Sequence, residues 1–222
     1  ETCRAKVSST PAAGLVAGSK LAKAGARVTL FERESRLGGL ASSFAIGPGQ
    51  QIEKYYHFIC KPDQPYFTML RELGLSSRLR WVHTQMGLFY RGRVHTMGDP
   101  LSLLRFPHLA AGDKLRFLWV TALAKLRNSA RWEPLDSISA QEWLVQQYGR
   151  RAYEAFYSPL LNLKFRRYAS SISAAWIWAR LHRLGNSRDL AQREWTAYLE
   201  GGTDDYIRAL EEKAQAMGMV VR

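Results

Sequence analysis

Between residues 4 and 60 the polar and apolar positions alternate in a βαβ order. A weak strand is expected over Arg4–Ser8, a helix from about Ala12 to Ala24 with Gly25 as its stop, and a strand over Arg27–Glu32 built on the apolar run Val28-Thr-Leu-Phe31. Gly14, Ala17, Gly18, Leu21 and Ala22 share one line of the helix, a smooth face that allows close approach to a sheet. After the Gly47-Pro-Gly49 turn, Gln51–Phe58 reads as extended. From Asp63 the pattern becomes helical. Helices are expected over Pro65–Leu73, Ala110–Arg127, Ser139–Tyr148, Arg150–Phe156 and Ser173–Arg183, with a hairpin from Met86–Tyr90 and Val94–Met97 about Arg91-Gly92-Arg93. A strand at Trp195–Leu199, the turn Glu200-Gly-Gly202, a helix over Thr203–Met217 and a terminal strand then restore the α/β style.

Composition narrows the class. Hydrophobic content of 46% with 23% charged residues fits a packed globular chain and disfavours disordered or fibrous classes. The net charge of +13, spread over both halves, favours anionic partners: a phosphorylated cofactor, an acidic substrate, an anionic lipid surface or nucleic acid. Solubility alone is the plainer reason for such a charge, and specific nucleic-acid binding is not expected. Cys3 and Cys60 lack the paired spacing of a zinc site or a disulfide framework, so a reducing, cytoplasmic setting is expected and no metal site. No run approaches the roughly 18 apolar residues of a membrane span. The chain opens on Glu1 rather than Met and stops on Met219-Val-Val-Arg222, a strand just begun, so both ends are expected to be cut.

Candidate chemistry begins at the strand ends. A dinucleotide fold offers phosphate a glycine-rich turn ahead of its first helix, but here that turn is eroded. Ending the pattern at Gly14 puts Ser9 and Pro11 at the other glycine positions, and one inserted residue puts Ser8 and Thr10 there. Glu32 is the stronger signal. It lies 18 residues after Gly14, near the roughly 20 expected of the carboxylate that binds ribose hydroxyls. A solvated strand-end glutamate is the ordinary alternative.

The residues just after Glu32 carry a more specific signal. Arg36, Gly38 and Gly39 resemble the second glycine motif of the flavin-dependent amine-oxidase, protoporphyrinogen-oxidase and UDP-galactopyranose-mutase superfamily. The stretches Glu53–Phe58, Ser158–Phe165 and Ala174–Arg180, with the Gly201-Gly202 turn, extend the resemblance over most of the chain, in the style of a bacterial branch. It implies an α/β fold: a Rossmann-like FAD-binding domain over residues 1–60 and 195–222, incomplete, with an inserted, largely α-helical substrate or cap domain over 61–194. It implies FAD as cofactor, with Glu32 on the adenosine ribose, Arg36 along the cofactor, Gly38 and Gly39 at the pyrophosphate and flavin, and Leu40 and Ala41 lining the flavin edge. Gly14 joins them at the helix start.

His57 lies where relatives place a residue against the flavin, and its imidazole suits proton transfer near neutral pH; packing among Tyr55, Tyr56 and Phe58 is the alternative. Lys164 reads as a snorkelling lysine before a substrate-facing amine. Lys164, Arg166, Arg167, Arg180, Arg183, Arg188 and Arg193, opposed in that stretch by Asp189, suit an anionic small-molecule substrate or, beside the 110–127 helix, a peripheral anionic membrane contact. The implied activity is oxidation of a substrate by hydride transfer to FAD. Two rivals stand beside it: a non-redox flavin-dependent sugar-nucleotide mutase, and a non-catalytic basic surface-binding fragment with a decayed nucleotide site.

Overall fold

A computed structural model describes residues 4–8, 12–48, 50–55, 57–126, 132–189 and 192–222. In chain order the first elements are β1 (Arg4–Ser8), α1 (Ala12–Lys23), β2 (Arg27–Phe31), a 3₁₀ turn (Gly39–Ala41), β3 (Ser43–Gly47), β4 (Gln50–Glu53), α2 (Gln64–Glu72) and β5 (Leu79–His83). The middle holds β6 (Met86–Tyr90), β7 (Arg93–Met97), α3 (Pro100–Arg105), α4 (Ala111–Leu126), α5 (Glu133–Asp136), α6 (Ala140–Tyr148) and α7 (Arg150–Ala152). A π turn (Tyr153–Tyr157), α8 (Ser158–Phe165), α9 (Ala174–Gly185), β8 (Trp195–Leu199), α10 (Gly202–Ala216) and β9 (Val220–Val221) complete it.

Contacts divide the chain into two units, one of Glu1–Ile59, Asp63–Trp81 and Ala197–Arg222, the other of Cys60–Pro62 and Val82–Thr196. The first is a sheet unit. Its parallel sheet runs in the order β1-β2-β9 with Ser8 opposite Phe31 and Leu30 opposite Val221. Central β2 buries Val28 and Leu30, while β1 has no second partner strand in the described sheet, which suits its polar sequence. Asp63–Trp81, assigned to the helical part on sequence, belongs here because Met69 and Leu70 of α2 are buried in the same core as Leu30 and Leu210.

Helix α1 forms as expected, but its buried face is Gly14, Leu15, Gly18, Ser19 and Ala22, rotated from the expected line. Ala17 and Leu21 lie outside, Leu21 at 39% exposure. The rotation has a physical cause: α10 and the residue before β9 cover this face, and a Cβ on Gly18 would stand 2.8 Å from Met219 Sδ. The expected Gln51–Phe58 strand ends at Glu53, antiparallel to β3, which sequence reading missed.

The second unit is helical around Phe106, Trp143, Leu144, Tyr148 and Ile177. Its hairpin turns on Arg91 and Gly92, both at positive φ (50° and 80°), the geometry of a two-residue hairpin. Ser139 and Ser173 cap α6 and α9, accepting from Glu142 N–H at 3.1 Å and Ala175 N–H at 3.0 Å. The helix expected over Arg150–Phe156 instead runs through the π turn into α8 and ends at Phe165. Pro159, in the first turn of α8, has no N–H for the α ladder, and the wider turn precedes it. Among the described residues, no helix is long and apolar enough to cross a membrane, and no three His, Cys, Asp or Glu side chains gather at a metal-binding spacing.

Candidate functional site

Parallel pairing sets the carboxyl ends of β1 and β2 level, and open α/β sheets bind ligands beyond such ends. Glu32 is the first residue past β2. Its N–H donates to Arg222 O at 2.8 Å, and its Oε1 accepts from Glu34 N–H at 3.0 Å. The carboxylate is thereby held over its own turn, and Oε2 can accept a further donor. Gly14 is buried in the first turn of α1, which carries no acidic residue, while Lys20 and Lys23 occupy the last turn. That charge distribution complements the helix dipole and leaves its positive end for an anion. Ser9, Thr10 and Pro11, where the eroded glycine pattern falls, lie outside the described residues.

The glycine pair needs its glycines for separate reasons. Gly38 has φ 107° and is buried, with a Cβ position 3.3 Å from Ile207 Cγ1, so both conformation and space disfavour a side chain. Gly39, at φ 54°, is exposed. Its carbonyl accepts from Ser42 Oγ at 2.7 Å and Ser42 N–H at 3.2 Å, closing the 3₁₀ turn. Leu40 is 63% exposed and Ala41 half-buried.

The first turn of α10 holds this segment in place. Thr203 Oγ1 donates to Ala41 O, and Asp204 accepts from Ser43 N–H at 3.0 Å and from Ser43 Oγ. Glu53, at the end of β4, accepts Thr203 N–H at 3.1 Å on Oε1. Its Oε2 accepts His57 N–H and lies 3.3 Å from His57 Nδ1. Asp205 pairs with Arg78 and Arg208. Carboxylates therefore occupy the positive end of α10. Burial, with Tyr206 and Glu53 nearby, lifts the Tyr66 phenol above its ordinary range, so Tyr66 keeps its proton.

The sheet unit thus brings Gly14, Glu32, Gly38, Gly39, Leu40 and Ala41 onto one strand-end region and the turn leading from it. His57 joins through Glu53, with its side chain 40% exposed. Arg36 is exposed and pairs with no acid among the described residues. Sequence reading missed Glu53, Ser43, Thr203 and Asp204 as members; the one local signal was the Glu53/His57 spacing of four residues. In the helical unit Lys164 is exposed, its Nζ 6.0 Å from the Phe165 and Trp176 ring centres, which makes it a surface cation over aromatic faces. Arg193 pairs with Asp189 at 2.9 Å and Arg188 with the buried Glu194 at 3.7 Å.

The sequence profile of the flavin containing amine oxidoreductases matches residues 12–219. No curated protein matches the chain. Among solved structures it is similar to an oxidoreductase from Methanosarcina mazei (20% identity, TM-score 0.69, covering 99% of this chain and 50% of that one). It is also similar to cyclohexylamine oxidase from Brevibacterium oxydans IH-35A (17% identity, TM-score 0.69, 100% and 51%). A reduced UDP-galactopyranose mutase matches at 18% identity and TM-score 0.64, covering 100% of this chain and 49% of that one. The chain spans about half the length of these structures, and the likeness shows the fold, an α/β architecture with a Rossmann-like sheet unit.

Proposed function

Because the chain belongs to the flavin containing amine oxidoreductases, whose cofactor is FAD, we propose that it forms the FAD-holding portion of an oxidoreductase that oxidises a small-molecule substrate. Glu32 binds the adenosine ribose through its Oε2. The start of α1, with Gly14, faces the pyrophosphate, and Arg36 supplies a cation along the cofactor. Gly38 and Gly39 let the backbone approach it, and Leu40 and Ala41 line the flavin edge. Bound flavin supplies a hydride acceptor. His57 is the candidate proton acceptor, and the helical unit is assigned substrate selection.

The observation that carries this reading is the turn after Glu32. It is held by α10 from one side, yet leaves Gly39 and Leu40 exposed, as a flat apolar ring with an anionic tail requires. Arg188 and Arg193 are already paired with carboxylates, which leaves these two less available to a diphosphate. The test is reconstitution of the purified chain with FAD. A yellow complex that survives desalting is expected, and Glu32→Gln should weaken it roughly tenfold or more, since a hydrogen bond to a charged group contributes about 1.5–3 kcal/mol. No uptake by the unaltered chain, or equal affinity in the variant, would overturn the reading.

A further inference from the structure

We propose that Glu53 is a positioning residue for His57, fixing the imidazole as its Nδ1–H tautomer and leaving Nε2 as the nitrogen able to take a proton. The proposal rests on the flavin-site reading only for what His57 then does; the Glu53–His57 link stands on geometry alone. Glu53 meets three donor positions. Oε1 faces Thr203 N–H at 3.1 Å, and Oε2 faces both the N–H and the Nδ1 of His57 at 3.3 Å. An ionised carboxylate only accepts, so Nδ1 must carry the hydrogen for this contact to be a bond, and a neutral ring then has its lone pair on Nε2. The 3.3 Å separation is at the long end for such a bond.

The same carboxylate ties the ring to the glycine pair. Glu53 holds Thr203, Thr203 Oγ1 holds Ala41 O, and Asp204 holds Ser43, so the imidazole and the Gly38–Ala41 turn share one support at the start of α10. Glutamine cannot replace Glu53 here. Its single carbonyl oxygen can serve Thr203 or His57 but not both, and its NH₂ would face a donor.

The test is ¹⁵N NMR of the histidine ring nitrogens in the flavin-free chain at a pH where His57 is neutral, with His57→Gln used to assign the signal. The unaltered chain should show a pyrrole-like Nδ1 and a pyridine-like Nε2; Glu53→Ala, which leaves no acceptor at Nδ1, should move Nδ1 toward the pyridine-like position and Nε2 the opposite way. A merely structural role for Glu53 would not exchange these signatures. An Nε2–H ring in the unaltered chain overturns the proposal without any Glu53 variant, and so does an unchanged tautomer in a folded Glu53→Ala. FAD uptake, measured separately, decides the flavin reading: its absence defeats that reading and leaves the tautomer result intact.

Discussion

Gly38→Ala offers the sharpest check on the architecture of the candidate site. At φ 107° an alanine pays the positive-φ penalty, about 1–2 kcal/mol. Its new Cβ would also press on Ile207 Cγ1 at 3.3 Å, within a buried side chain rather than at a flexible tip. Overpacking of this kind costs about 1–3 kcal/mol. The two effects together should reach roughly 2–5 kcal/mol, a fall of about 4–20 °C in melting temperature for a chain of this size. Gly39→Ala, exposed and at φ 54°, should lose only the conformational part, about 1–2 kcal/mol. Thermal and urea unfolding of both variants, with and without Ile207→Ala, separate the contributions. In the Ile207→Ala background the steric share should vanish and the cost of Gly38→Ala fall to about 1–2 kcal/mol. Equal melting of Gly38→Ala and the unaltered chain, or a larger loss from Gly39→Ala, would refute the reasoning.

Two further outcomes rest on particular contacts. Burial, reinforced by the neighbouring Tyr148 phenol, lifts Tyr157 well above the ordinary phenol range. The folded chain therefore keeps a proton that the unfolded chain loses near pH 10, so its contribution is complete below about pH 10 and declines as pH rises beyond it, by up to about 1.4 kcal/mol per pH unit. Tyr157→Phe should remove that share of the alkaline slope in urea unfolding; an unchanged slope would contradict the assignment. Asp204→Ala strips Ser43 of the acceptor for its N–H at 3.0 Å and for its hydroxyl. It should lower stability by about 1.5–3 kcal/mol, measured by the same melts, and a neutral result would mean that α10 does not hold the glycine turn.

The local elements were readable because their signals are local. Gly25 and Gly74 stop helices at positive φ (87° and 70°), and the Arg91-Gly92 turn closes a hairpin whose register is set by its length. The face of α1 was not readable, since Ala17 and Leu21 are at least as apolar as Leu15 and Ser19, which take their place; only the distant Met219 distinguishes the two faces. Glu32, Gly38 and Gly39 were visible through their spacing along one segment. Their supports were hidden, because Ser43 meets Asp204 across 161 residues and Glu53 meets Thr203 across 150, separations at which no periodicity carries information. The Arg150–Phe156 helix was placed too short for another reason: the π turn that carries it on into α8 lies just ahead of Pro159, beyond the end of the expected element.

The order β1-β2-β9 also has a consequence for synthesis. Strand β2 leaves the ribosome early, but β9, the Met219 that fills the groove at Gly18, and the α10 turn that holds the glycine pair emerge only after Val82–Thr196. At about 5–20 residues per second that interval is on the order of ten seconds. For that time Val28 and Leu30 lack part of their cover while the helical unit can already complete its own core. The nascent chain is then a candidate for chaperone binding at the β2 region, and the turn after Glu32 can acquire its final shape only when α10 and β9 arrive.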